Sequence, residues 1–120
     1  MKLNYDLIRD ILLSVEDISD GWVNFPVEYL QETYLQCYEL KVILYHVKQL
    51  SQGGIIQTSR GSSNYIIDLT WYGHQYLANI RDTTIWTKTK ERIKPLGNVA
   101  LDIILDVSKA LIKSSLKLEP

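Results

Sequence analysis

The sequence predicts a mostly helical α+β fold, and three observations carry that prediction. Apolar residues recur at helical spacing through several long stretches. Between two of these stretches a glycine pair, Gly53-Gly54, opens onto two short runs joined by a polar tip, the pattern of a β-hairpin. Leu69-Thr70-Trp71-Tyr72-Gly73 then returns the chain to helix, with a threonine in a capping position.

The first helix is expected to start at Asn4, a good N-cap, with Asp6 in the first turn where the helix dipole favours an anion. Leu7, Ile8, Ile11, Leu12, Val15 and Ile18 form its apolar face, and Ser19-Asp20-Gly21 ends it. Trp22 to Phe25 is too short for a helix before Pro26 and reads as an edge strand or an extended connector. Pro26 suits the first position of a short helix through Leu30. A third helix is expected over Tyr38–Gln52. Leu40, Ile43, Leu44, Val47 and Leu50 make its buried stripe, with Lys41, Tyr45, His46, Lys48 and Gln49 on the other side.

Gly53 is expected to close that helix in the left-handed conformation, and Gly54 to leave room for the turn. Ile55–Arg60 and Tyr65–Thr70 are the two strands, around the tip Gly61-Ser62-Ser63-Asn64. Tyr65, Ile67 and Leu69 share one face at period two. Thr70 caps a helix through Ile80, in which Gly73 permits close backbone approach. A further helix runs from Asp82 with Ile85, Trp86 and Ile93 inward. Pro95 to Asn98 breaks the chain, and Asn98 caps a last helix reaching Leu116.

The order of these elements is that of a winged helix-turn-helix with a two-stranded wing and extra C-terminal helices. Residues 1–94 would form the winged-helix domain, and residues 95–120 a helix for dimerisation or partner docking. Two motifs resemble known proteins. His46-Val47-x-x-Leu50, Gly54-Ile55-Ile56 and Leu69-Thr70-x-x-Gly73 resemble winged-helix transcription regulators of the multiple-antibiotic-resistance and phenolic-acid-repressor types, over about Pro26 to Leu77. Nearly the whole chain is similar to a family of short bacterial and phage proteins known as a domain of unknown function. The shared pattern is Asp6-Leu7-Ile8-Arg9, Leu69-Thr70-Trp71-x-Gly73-His74-x-Tyr76-Leu77 and Ile80-Arg81-Asp82-x-x-x-Trp86-x-x-x-Lys90. That resemblance implies the fold and a prophage or phage context, and brings no activity. One departure from the regulators is that Gln31 to Cys37 lacks their tight turn before the recognition helix.

Composition bounds the function. The chain has 120 residues, 46% hydrophobic and 22% charged, enough for a soluble globular core. Its single cysteine, Cys37, forms no internal disulfide and fits a reducing cytoplasm; it reads as a small buried apolar residue. No signal peptide or membrane span is expected. The net charge of −1 means that any nucleic-acid footprint must be local.

Lys41, Tyr45, Lys48 and Gln49 would face the major groove, although a merely solvated face needs the same residue types. Arg60 and Asn64 at the hairpin tip suit the DNA backbone, or simply a polar turn. Lys88, Lys90, Arg92 and Lys94 are the densest basic run, either a solvated helix or a phosphate track. His74 sits in the most distinctive motif and is expected to pack beside Trp71 or the aromatic cluster and hydrogen-bond locally. With only one other histidine, His46, neither a metal site nor a catalytic site is implied, and no cofactor.

The last helix carries a wide apolar arc, from which Ile104 and Leu111, seven apart, are expected to face a partner or a second copy. The reading is therefore a non-enzymatic, dimeric, cytoplasmic DNA-binding regulator of prophage type, with double-stranded DNA as partner. The alternative is a phage or prophage accessory protein that binds and modulates or inhibits a host protein complex. The aromatic content, three Trp and eight Tyr, suits that alternative.

Overall fold

The computed structural model describes residues 1–117. In chain order it contains α1 (Tyr5–Ile18), β1 (Phe25–Pro26), α2 (Val27–Thr33), α3 (Leu40–Gln52), β2 (Ile56–Ser59), β3 (Ser62–Leu69), α4 (Trp71–Ile80), α5 (Thr83–Ile93), a 3-10 turn (Lys94–Leu96) and α6 (Leu101–Ser115). The fold is thus α+β and mostly helical, with one antiparallel three-stranded sheet in the order β1-β3-β2. Two compact units are distinguished, Met1–Gln75 and Tyr76–Pro120. This grouping puts α5 with α6, where the sequence suggested a boundary at 94/95.

In the first unit, α1 begins as expected: the Asn4 side chain accepts the Leu7 N–H at 3.1 Å. Its face of Leu7, Ile8, Ile11, Leu12 and Val15 is fully buried, together with Val27 and Leu30 of α2 and Ile43, Val47 and Leu50 of α3. Pro26 lies one residue outside α2, as its N-cap, and ends the edge strand β1, where a missing N–H does not break the sheet. Helix α3 starts two residues later than Tyr38. Leu44 is only half-buried, whereas His46 is 1% exposed, contrary to the outward position expected for it.

The end of α3 also differs from expectation. Gly53 keeps right-handed dihedrals, and Gly54 takes the left-handed conformation at φ +74°. The Ile55 N–H reaches Leu50 O at 2.9 Å and the Gly54 N–H reaches Ser51 O at 3.1 Å. This is the Schellman pairing, which satisfies the last carbonyls of a helix and demands positive φ one residue past its cap.

The hairpin is tighter than expected. Its turn is Arg60-Gly61, with Ser59 opposite Ser62, so Ser62, Ser63 and Asn64 belong to β3 instead of to the tip. Ile56 pairs with Leu69 and Gln57 with Asp68, yet Thr58 pairs with Ile66, which leaves Ile67 as an extra residue. One extra residue reverses the alternation of faces. Ile66 and Leu69 are therefore the buried pair, Ile67 is half-buried, and Tyr65 is 45% exposed, in place of the expected Tyr65, Ile67, Leu69 face.

Thr70 joins this hairpin to α4. Its hydroxyl donates to Gly54 O at 2.6 Å and accepts the Gly73 N–H at 3.0 Å, while its own N–H donates to Ile55 O. A Cβ on Gly73 would lie 2.0 Å from Ile55 O, closer than any real contact. Threonine and glycine three apart thus meet two separate demands of one junction, a cap and a close approach.

In the second unit, Tyr76, Leu77, Ile80, Trp86, Ile93, Ile104 and Leu105 are buried. Asp82 caps α5 by accepting the Ile85 N–H at 2.9 Å. The N-cap of α6 is Ala100 instead of Asn98, and it offers no side-chain hydrogen bond.

Candidate functional site

Helix α3 turns Lys41, Tyr45 and Lys48 to the side opposite Ile43, Val47 and Leu50, because four- and three-residue steps keep one face of a helix together. Lys41 and Lys48 are exposed; Tyr45 and Gln49 are half-buried. Lys41 Nζ lies 3.7 Å from Glu39 Oε2, with both side chains about three-quarters exposed. Surface pairs of this kind contribute only ~0–1 kcal/mol, so a phosphate could take the place of Glu39.

Arg60 is exposed in the two-residue turn, and Asn64 is exposed in β3, where its N–H donates to Ser62 Oγ at 3.2 Å. The hairpin is fastened to α3 by a hydrogen bond of 2.8 Å between the hydroxyls of Ser51 and Thr58. The structure thus joins the hairpin to the last turn of the helix that carries Lys48 and Gln49. His46 takes no part in the exposed face. Its Nδ1 lies 2.8 Å from Val42 O and its Nε2 accepts the Asn4 N–H at 2.9 Å, so the ring tethers α3 to the start of α1.

The remaining residues singled out in the sequence are dispersed. Lys88, Arg92 and Lys94 are exposed, and Lys90 sits 5.6 Å from the centre of the Trp86 ring, a cation–π contact. His74 is half-buried, and Trp71, expected beside it in packing, is 80% exposed. Cys37 is exposed, not buried as expected, because it lies in the irregular segment between α2 and α3. Ile104 is fully buried within the chain itself, so it cannot face a partner, and Leu111 is half-buried. Leu111 helps line an open groove of about 830 Å³ between α5 and α6, rimmed by Asp82, Lys88, Glu91 and Arg92.

Sequence reasoning missed the loop after α1. Asp20 Oδ1 accepts the N–H groups of Trp22 and Val23 at 2.8 and 2.9 Å. Ser19 Oγ accepts the Gly21 N–H and donates to Ile67 O. The Val23 and Trp22 amides hold the Asp20 carboxyl below the usual carboxylate value. These bonds order a loop whose Trp22 is 87% exposed and whose Val23 is 66% exposed. The signal was present, since an aspartate followed by glycine favours a side-chain-closed turn.

Comparison with known proteins places the chain in a family. Residues 2–99 match the model of the family described as hypothetical protein (DUF2513), and the chain belongs to that family. A protein of Haemophilus influenzae described as uncharacterized is 33% identical over a 130-residue alignment, which spans 97% of this chain and 99% of that relative. No solved structure matches the chain. Among the described residues, no helix is long and apolar enough to cross a membrane.

Proposed function

We propose that the chain is a non-enzymatic winged-helix protein that binds double-stranded DNA, as a small regulator of prophage or phage type. The observation that carries this reading is the solvent face of α3. Lys41, Tyr45 and Lys48 lie along it, and the adjoining hairpin ends in an exposed Arg60. The order α1-β1-α2-α3-β2-β3, with β3 between β1 and β2, supports it as the arrangement a winged helix requires. The prophage setting rests on the sequence resemblance alone.

In this reading α3 enters the major groove, as the second helix of a helix-turn-helix does. Lys41 and Lys48 neutralise phosphates, Tyr45 and Gln49 reach base edges, and Arg60 and Asn64 meet the sugar–phosphate backbone. The test is a gel-shift comparison of wild type with the Lys41/Lys48/Arg60→Ala triple variant. Loss of binding in the triple variant is expected. Equal binding by both proteins would remove these residues from the interface.

A second reading is favoured by one specific observation. Trp22 and Trp71 are exposed by 87% and 80%, and tryptophan is enriched at the anchoring points of protein interfaces. On this reading the chain is an accessory protein that binds and modulates a host protein complex. Replacing Trp22 and Trp71 with Ala separates the two. DNA affinity should survive those changes if α3 is the reading element.

A further inference from the structure

The outer side of α6 carries two parallel rows. Ile103, Val107, Ala110 and Ser114 form one, at steps of four, three and four; Ile103, Ala110 and Ser114 are exposed, and Val107 is half-buried. This is the heptad spacing with which two helices pack side by side. The second row, Asp102, Asp106, Lys109 and Lys113, is exposed at every position and runs beside the first. It is acidic in its N-terminal half and basic in its C-terminal half. None of these four charges makes an ion pair with another described residue, although Asp106 and Lys109 lie three positions apart.

The helix dipole accounts for part of the pattern, since Asp102 is in the first turn and Lys113 in the last. Its influence fades within those turns. Asp106 and Lys109, in the middle of the 15-residue helix, need another reason. The row is complementary to its own reverse. Turned end to end about the middle of the helix, Asp102 falls opposite Lys113 and Asp106 opposite Lys109. A parallel copy would set like charges against each other.

We infer that α6 pairs antiparallel with α6 of a second copy of this chain. The row from Ile103 to Ser114 is the seam, and the pairs Asp102–Lys113 and Asp106–Lys109, each made twice, set the direction. A two-fold axis generates such a self-complementary contact, in which each residue of a pair occurs on both sides. Ala110 and Ser114 let the two backbones approach. The contact is one helix wide, so the dimer is weak and sensitive to salt. This inference is independent of DNA binding, and it uses the face of α6 opposite the buried Ile104.

Two charge-reversed variants of the full chain test it, Asp102→Lys/Asp106→Lys and Lys109→Asp/Lys113→Asp. Sedimentation of the wild type at low salt should show mass rising above 13.9 kDa with concentration. Each variant alone carries four like charges along the row, and its self-association should weaken by at least about tenfold. An equimolar mixture of the two should recover association, now as a heterodimer. The positions are exposed, and circular dichroism confirms that each variant keeps its helices. A wild type that stays at 13.9 kDa up to about 1 mM overturns the proposal and leaves this face to a different partner. Variants that associate as well alone as mixed overturn it equally.

Discussion

His46 Nε2 accepts the backbone N–H of Asn4 at 2.9 Å, so one imidazole in α3 holds the first residue before α1. The other ring nitrogen, Nδ1, lies 2.8 Å from Val42 O and donates to it. The two bonds require the neutral ring with its proton on Nδ1. Asn4 in turn caps α1 through its side chain, so α3, the cap and α1 are linked through two residues.

His46→Ala should therefore leave the part-buried Asn4 N–H without its acceptor and open a cavity where the buried ring stood, lowering stability by ~2–4 kcal/mol. His46→Gln, which can accept from Asn4, should recover part of that loss. Thermal unfolding of the two variants checks the order; equal losses would mean that only the ring volume matters.

The junction of hairpin and α4 gives a second prediction. Gly73→Ala would drive a methyl group into Ile55 O, a backbone atom that cannot swing aside, at a cost of ~1–3 kcal/mol or more. Thr70→Ala should cost ~1 kcal/mol or more through loss of the cap and of the bond to Gly54 O, and Thr70→Ser should be milder. Urea unfolding would show whether the ranking holds.

A third prediction concerns pH. The Asp20 carboxyl is held below the ordinary aspartate value of 3.8 by the Val23 and Trp22 amides. A depressed carboxylate stabilises above its unfolded value, and that contribution is lost as pH falls through the folded one. Protection of the Trp22 and Val23 amides against exchange should thus persist at pH 5 and fall below about 3.8. Asp20→Ala should abolish it at every pH. Protection that ignores both changes would show that other contacts order this loop.

The helices with strong apolar periodicity were legible in the sequence, as were the caps Asn4 and Thr70 and the start of a helix at Asp82, because each depends on residues within one turn. The face of β3 was not. The extra residue Ile67 arises from the pairing of β3 with the shorter β2, which no local pattern reports. His46 was misplaced for a different reason. It lies three residues after Ile43 and four before Leu50, so its position puts it on the buried side although its polarity suits an exposed one. The apolar arc of α6 that holds Ile104 and Leu111 is wider than one face, yet the part at Ile104 is core. Cys37 and Trp71 show the converse, since neither residue type predicts an exposed place.

The α3 face is the centre of this account, and its charge makes the most direct test. Titrating a labelled random duplex with the protein at low salt, and repeating the titration across a salt series, measures both affinity and the number of phosphates neutralised. Three contacts, from Lys41, Lys48 and Arg60, predict a slope of about −2.7 in log K against log salt, or roughly a 40-fold loss between 50 and 200 mM. Binding in the micromolar range with that slope is the expected result. No anisotropy change at tens of micromolar protein in low salt would contradict DNA binding through this face.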